Sequence, residues 1–214
     1  MIAPRLILVT DPFFGDERVV QCIQAAGRSL PAGALCVQLR DRQRPIVSLR
    51  IFASRLRIVT RTVGATLLIN GNPRLARDVG ADGVHLGRDA GTVEDARSIV
   101  GERAWISVSA HSDGAVARGV DAGADAVLVS PVFPSRAPSA LAPGKEARGL
   151  QALRTARARA QDRAGIYALG GVNEDNARAC VEAGASGVAV LRALLANPEP
   201  AHVARAIHDA MAAR

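Results

Sequence analysis

The clearest chemistry in the sequence lies in the stretch YALGGVNEDNARACVEAGASGVAVLRALL. Gly170 and Gly171 follow a short apolar run, and without a Cβ their backbone N–H groups can approach an anion closely. A second apolar run ends at Leu191-Arg192, where VLRALL can open a short helix whose first N–H groups face the same point. Gly170, Gly171, Leu191 and Arg192 are therefore a candidate phosphate site, with Arg192 adding a charged donor. The same glycines can also serve only to make a tight turn.

Other polar residues fall at the ends of apolar runs. Gln38, Arg40 and Arg42 close one, Asn70 closes another, and Asp11 and the pair Ser130-Pro131 follow two more. His111 lies in Val108-Ser109-Ala110-His111-Ser112, and histidine is a residue type able to act as an acid or base. Ser109 and His111 follow another such run, where on its own a histidine is more often a hydrogen-bonding residue than a catalyst. His85 sits inside an apolar run and reads as scaffold, while His202 and His208 belong to the solvated face of a C-terminal helix.

The elements that must position these residues alternate in type. Short aliphatic runs predict strands at Leu6–Thr10, Leu35–Leu39, Thr66–Asn70, Gly83–Leu86, Trp105–Val108, Ala126–Val129, Ile166–Leu169 and Gly187–Leu191. Helical spacing predicts helices at Val19–Ser29, Val47–Val63, Asn72–Val79, Val93–Val100, Ala115–Ala122, Gly149–Arg163, Glu174–Ala183 and Ala201–Ala212. The phrases VGADGVHLG, AGADAVLVS and AGASGVAVL repeat one order: helix end, Gly cap, small residue, next strand. A dinucleotide-binding sheet would carry G-x-G-x-x-G after its first strand, and ILVTDPFFGDE does not. The expected fold is a single-domain (β/α)8 barrel over residues 1–214, with its site at the C-terminal strand ends.

The chain of 214 residues carries a net charge of +7 and a pI near 10.7. Lys145 is the only lysine, the arginines are dispersed, and aromatic residues are 3%, which argues against a nucleic-acid partner. No run of 18 apolar residues suggests a membrane span. Asp11 and Pro12 end the first apolar run too early for a secretory leader, so a cytoplasmic protein is expected. Cys22, Cys36 and Cys180 have no metal-like spacing and read as ordinary thiols. Oligomeric state leaves no signal.

Across nearly its whole length the chain resembles thiamine phosphate synthases and the related thiazole tautomerases. LVTD, VQLRDR, LLINGNPRLARDVGADGVHLG, VSAHS, GADAVLVSPVFPS and ALGGVNEDNARACVEAGASGVAV carry the resemblance, in that order. It implies a barrel that binds a small phosphorylated thiazole, with the phosphate at Gly171 and Leu191-Arg192. The synthase joins a pyrimidine methyl diphosphate to the thiazole phosphate and releases pyrophosphate, with Mg²⁺ as its usual ion. Gln38, Arg40, Asn70 and Ser109 match synthase-like positions, and Arg42 stands where the family usually has Lys.

Other positions depart from the synthase pattern. The usual Asn-Asp pair reads Asn70-Gly71, and His-x-Gly-Gln-x-Asp reads His85-Leu86-Gly87-Arg88-Asp89-Ala90. Both metal carboxylates are thus replaced, with Asp89 one residue away. The usual Thr-x-Thr-Lys reads Ser135-Arg136-Ala137-Pro138, so Ser135, Arg136 and a displaced Lys145 are the diphosphate-side candidates there. Arg42, Arg88 and Arg136 could neutralise a diphosphate in place of a metal. Tautomerases also carry Gly after the Asn, and His111 matches their catalytic histidine, so the resemblance implies His111 and Ser109 as the catalytic candidates. The leading expectation is a tautomerase-like isomerase that aromatises a thiazole phosphate carboxylate through His111, with no cofactor or metal. The alternatives are a divergent synthase, with Mg²⁺ at Asp89 or arginines in its place, and a non-catalytic thiazole- or thiamine-phosphate binding protein.

Overall fold

In the computed structural model, which describes residues 3–134 and 146–212, the chain alternates strand and helix as its apolar spacing dictates. The strands are β1 (Leu6–Val9), β2 (Leu35–Leu39), β3 (Thr66–Asn70), β4 (Gly83–Leu86), β5 (Trp105–Ala110), β6 (Ala126–Val129), β7 (Gly165–Leu169) and β8 (Gly187–Val190). They pair in chain order, all parallel, and β8 returns to β1 to close an eight-stranded barrel. The helices are α1 (Asp16–Ser29), α2 (Ile46–Thr62), α3 (Pro73–Asp78), α4 (Val93–Val100), α5 (Asp113–Asp121), α6 (Gly149–Ala160), α7 (Ala177–Glu182), α8 (Arg192–Leu195) and α9 (Pro200–Ala212).

Differences from the sequence reading lie at boundaries. α1 starts earlier than expected because Asp16 and Glu17 suit the first turn of a helix. α6 stops at Ala160, where Gln161 turns to positive φ. α7 starts later, because the Asn176 side chain bonds the backbone of its own turn, accepting Asn173 N–H and donating to the Gly171 carbonyl. β5 runs on to Ala110, so Ser109 lies within the strand rather than after it.

Side chains alternate across each strand, and the barrel has two cores. Leu8, Val37, Ile69, Val84, Ile106, Val127, Ile166 and Val188 face outward into one continuous cluster with the helices. Ile7, Val9, Cys36, Leu68, Leu128, Tyr167 and Ala189 fill a second cluster inside. That explains why the strands read as unbroken apolar runs. Tyr167 and Trp105 meet edge to face at 5.8 Å near the strand starts, and the Tyr167 hydroxyl donates to the Pro4 carbonyl at 2.6 Å. A Cβ on Gly187 would lie 2.8 Å from the Tyr167 ring, so glycine there makes room for this floor.

The repeated Gly-Ala-Asp and Gly-Ala-Ser phrases set where strands begin. Ala81, Ala124 and Ala185 donate back to Ala76, Gly119 and Cys180, each closing a helix end around a left-handed glycine. Asp82 and Asp125 then accept the backbone N–H groups of Leu67 and Ile106, both at 2.7 Å, and Ser186 accepts that of Ile166. All three cysteines are buried, and burial pushes Cys22 and Cys36 up to about 12 and Cys180 to about 11. Among the described residues no helix is long and apolar enough to cross a membrane.

Candidate active site

Above the apolar filling, the inward row turns polar. Gln38, Asn70, His85 and Ser109 border a cavity of about 530 Å³ at the C-terminal strand ends, which also receives residues from the following loops. The two ends of this cavity differ in chemistry.

One end is built by β7, β8 and α8. Gly170 and Gly171 adopt φ of 97° and 65°, and both are pressed against the segment after β6. A Cβ on Gly171 would lie 2.5 Å from the Pro134 carbonyl, and one on Gly170 would lie 2.7 Å from Pro131 Cβ. Phe133 N–H donates to the Gly170 carbonyl at 3.0 Å, and Asn176 Nδ2 donates to the Gly171 carbonyl at 3.0 Å. Glycine is therefore required by packing, and the same packing fixes the backbone that borders the cavity. Leu191 caps α8, accepting from Leu195 N–H at 2.9 Å, and Arg192 opens the helix at the cavity wall. Behind it, Arg18 of α1 donates from Nε to the Leu195 carbonyl at 2.9 Å and from Nη2 to those of Leu194 and Asn197.

The middle of the cavity floor carries a histidine between two serines. His85 Nδ1 lies 2.9 Å from Ser107 Oγ, and its Nε2 lies 2.8 Å from Ser109 Oγ. Burial, with the charges of Arg42 and Arg40 adding to it, lowers His85 to about 3, so the ring is neutral at pH 7. One ring nitrogen then donates and the other accepts, tying the two hydroxyls together. His111 stands on the cavity wall with Nδ1 2.8 Å from the Ser130 carbonyl oxygen. A carbonyl only accepts, so Nδ1 carries the proton and Nε2 is the basic nitrogen of the neutral ring.

The other end is arginine-rich. Arg40 and Arg42 follow β2, and Arg88 follows β4. Thr10 Oγ1 accepts the Arg40 N–H at 2.9 Å and fixes that backbone. Arg42 Nη2 lies 3.2 Å from where a Cβ on Gly87 would stand, so glycine there leaves room for the guanidinium. Burial, and next the like charge of Arg42, lowers the pKa of Arg40 from its usual range.

The family model described as thiamine monophosphate synthase matches residues 6–194. The chain belongs to that family. It is 39% identical over 203 residues to the putative thiamine-phosphate synthase of Geobacter sulfurreducens, covering 94% of this chain and 92% of that one. It is 35% identical over 211 residues to the thiamine-phosphate synthase of Methanoculleus marisnigri, covering 97% and 95%. The thiamine phosphate pyrophosphorylase of Pyrococcus furiosus superposes with a TM-score of 0.83 at 25% identity, covering 97% and 95%. The barrel is thus one of thiamine biosynthesis, and its relatives' names favour the synthase alternative over the leading tautomerase expectation.

Against the family pattern read from the sequence, the metal side of this thiamine monophosphate synthase family member lacks its carboxylates. Gly71 and Ala90 stand where the family pattern has carboxylates, and they face each other: a Cβ on Gly71 would lie 4.0 Å from that of Ala90. Asp89 reaches the cavity wall alone, and among the described residues no group of three His, Cys, Asp or Glu side chains could hold a metal ion. The residues present do not fit a Mg²⁺ ion held between paired carboxylates.

The cavity gathers Gln38, Arg40, Arg42, Asn70, Arg88, Ser109, His111, Gly170, Gly171, Leu191 and Arg192 as read from the sequence. Ser135, Arg136 and Lys145 lie outside the described residues. Asp11 is not on the wall; it is fully buried and caps a turn by accepting Phe13 N–H at 3.0 Å. The sequence reading missed Thr10, Arg18 and Gly87. Arg18 carried no signal among so many helical arginines, whereas Gly87 sits in a quoted motif beside Arg88.

Proposed function

We propose that the protein is a thiamine-phosphate synthase of divergent construction, joining a pyrimidine methyl diphosphate to a thiazole phosphate. The observation that carries this reading is the polarity of the cavity. Cationic groups from β2 and β4 stand across the ring from the glycine end at β7 and β8. A thiazole phosphate alone accounts for the glycine end, but not for three further arginines. A second, diphosphate-bearing substrate does.

In this reading the thiazole phosphate lies against Gly171 and Arg192, and the diphosphate against Arg40, Arg42 and Arg88. Gln38, Asn70 and Ser109 line the wall between the two ends and offer hydrogen bonds to the pyrimidine. Bringing both substrates into one cavity removes the entropy cost of encounter, and the arginines stabilise the charge that develops on the leaving diphosphate.

A second reading, a thiazole tautomerase, rests on one observation: the Ser130 carbonyl makes His111 Nε2 a basic nitrogen on the cavity wall. The deciding experiment supplies pyrimidine methyl diphosphate and thiazole phosphate, with and without Mg²⁺, and measures thiamine phosphate by oxidation to its fluorescent derivative. Formation at a biosynthetic rate is expected. No product in either condition, with proton exchange on the carboxylated thiazole, transfers the assignment to the tautomerase.

A further inference from the structure

The arginine end of the cavity is costly to build for a neutral ligand. Arg42 and Arg88 form no ion pair with any described residue, and Arg42 lies close enough to Arg40 to depress its pKa. Asp41, the acid between Arg40 and Arg42 in the chain, pairs with Arg44, 2.8 Å from its Nε; it and buried Asp11 act on Arg40 in the opposite sense but do not outweigh burial and the like charge of Arg42. Like charges left together this way repel, and an anion between them relieves the repulsion.

Beside these arginines, the two positions where the family resemblance expects carboxylates both lack one. Gly71 and Ala90 approach each other across the ends of β3 and β4, where two carboxylates would hold a cation between them. Losing only one would leave a half-built ion site. Losing both, beside three arginines, replaces one source of positive charge with another.

We propose that this barrel binds the diphosphate directly through Arg40, Arg42 and Arg88, without a divalent cation; the proposal rests on the synthase reading above. In the step itself, the thiazole ring nitrogen gives its electron pair to the pyrimidine methylene carbon and forms a C–N bond. The methylene C–O bond breaks, and its electrons leave with the diphosphate. No proton is transferred and nothing is oxidised. The guanidinium forks meet the non-bridging oxygens and take up the charge that a metal would otherwise take.

The test is calorimetric titration of the purified protein with inorganic pyrophosphate, in EDTA and in Mg²⁺. Comparable affinity in both is expected, and R42A and R88A each weaken it by about 10- to 100-fold in EDTA. Binding that requires Mg²⁺, or R42A and R88A variants that bind as well as the parent, overturns the proposal. Thiamine phosphate formation in Mg²⁺ would then leave the synthase reading standing. Conversely, metal-free binding without product in any condition upholds the arginine site and removes the synthase reading.

The double variant G71D/A90D gives an independent arm. Its two carboxylates would face each other at Cβ positions 4.0 Å apart, and Asp is among the residues that tolerate the left-handed φ of 73° at position 71. Mutual repulsion lowers its melting temperature in EDTA, and Mg²⁺ restores it. A double variant indifferent to Mg²⁺ counts against the facing geometry and overturns the proposal. If the double variant fails to fold, the arginine titrations decide alone.

Discussion

His111 Nδ1 lies 2.8 Å from the Ser130 carbonyl oxygen, and this one bond separates the two readings of the site. Asparagine places an amide nitrogen where histidine has Nδ1, so His111→Asn keeps the bond and removes Nε2. Joining the two substrates moves no proton, and thiamine phosphate formation by His111→Asn is expected within about ten-fold of the parent. Aromatisation of a thiazole phosphate carboxylate would fall by about 10²- to 10⁴-fold. Loss of thiamine phosphate formation on that larger scale, at unchanged melting temperature, would give His111 a role in the synthase step.

The barrel was legible because its strands are apolar on both faces and its helix ends repeat. Gly80-Ala81-Asp82, Gly123-Ala124-Asp125 and Gly184-Ala185-Ser186 each state a cap, a small residue and a strand-start acceptor within three positions. The site was legible where function follows strand ends, as at Gln38, Asn70 and Ser109. Tertiary approach is what local pattern cannot encode. Gly71 and Ala90 lie far apart in the chain and read as two separate losses; only the barrel shows that they face each other. His85 read as scaffold, yet its bonds to Ser107 and Ser109 couple that scaffold to the cavity floor.

His85 makes stability depend on acidity. Its folded pKa, about 3, lies below the ordinary value of 6.5, so between these values the unfolded chain binds the extra proton. Its contribution is complete above about pH 6.5 and is lost as the pH falls toward 3, at roughly 1.4 kcal/mol per pH unit. Between pH 7 and pH 5 the parent should lose about 2 kcal/mol more than His85→Gln in urea unfolding. His85→Gln should itself be less stable at pH 7 by about 1–3 kcal/mol, since the serine bonds are disturbed. Equal acid losses in the two proteins would show that the ring is already protonated, or exposed, in the native state.

Gly171→Ala tests whether packing and ligand share one backbone. At φ 65° an L-residue costs roughly 1–2 kcal/mol, and its Cβ would press on the Pro134 carbonyl and Phe133 Cβ at 2.5 and 2.7 Å. The loop must shift, and thiazole phosphate affinity is expected to fall by at least about ten-fold. Gly101→Ala is the control, because Gly101 has φ 88° with nothing within 4 Å and caps α4. It should lose comparable backbone stability while binding the thiazole phosphate normally. Equal binding by both variants would separate Gly171 from the ligand.

Arg18 touches no part of the cavity wall, yet it holds the far end of the helix that Arg192 opens. The last carbonyls of a helix have no partners within it, and a guanidinium there satisfies them and complements the helix dipole. Removing it takes the side-chain donor from the Leu195 and Asn197 carbonyls, leaves Leu194 only the Asn197 N–H at 3.3 Å, and frees a four-residue helix too short to hold its own geometry. Arg18→Ala should therefore raise the KM for thiazole phosphate by about 3- to 10-fold, from roughly 1 kcal/mol of lost positioning. The KM for the pyrimidine diphosphate, which lies at the arginine end, should not move. Arg18→Lys, which keeps the charge but reaches fewer carbonyls, should recover part of the loss. A general weakening of the fold would raise both KM values together or lower only the amount of active enzyme. An effect confined to thiazole phosphate requires that the α1–α8 contact positions the phosphate end of the cavity.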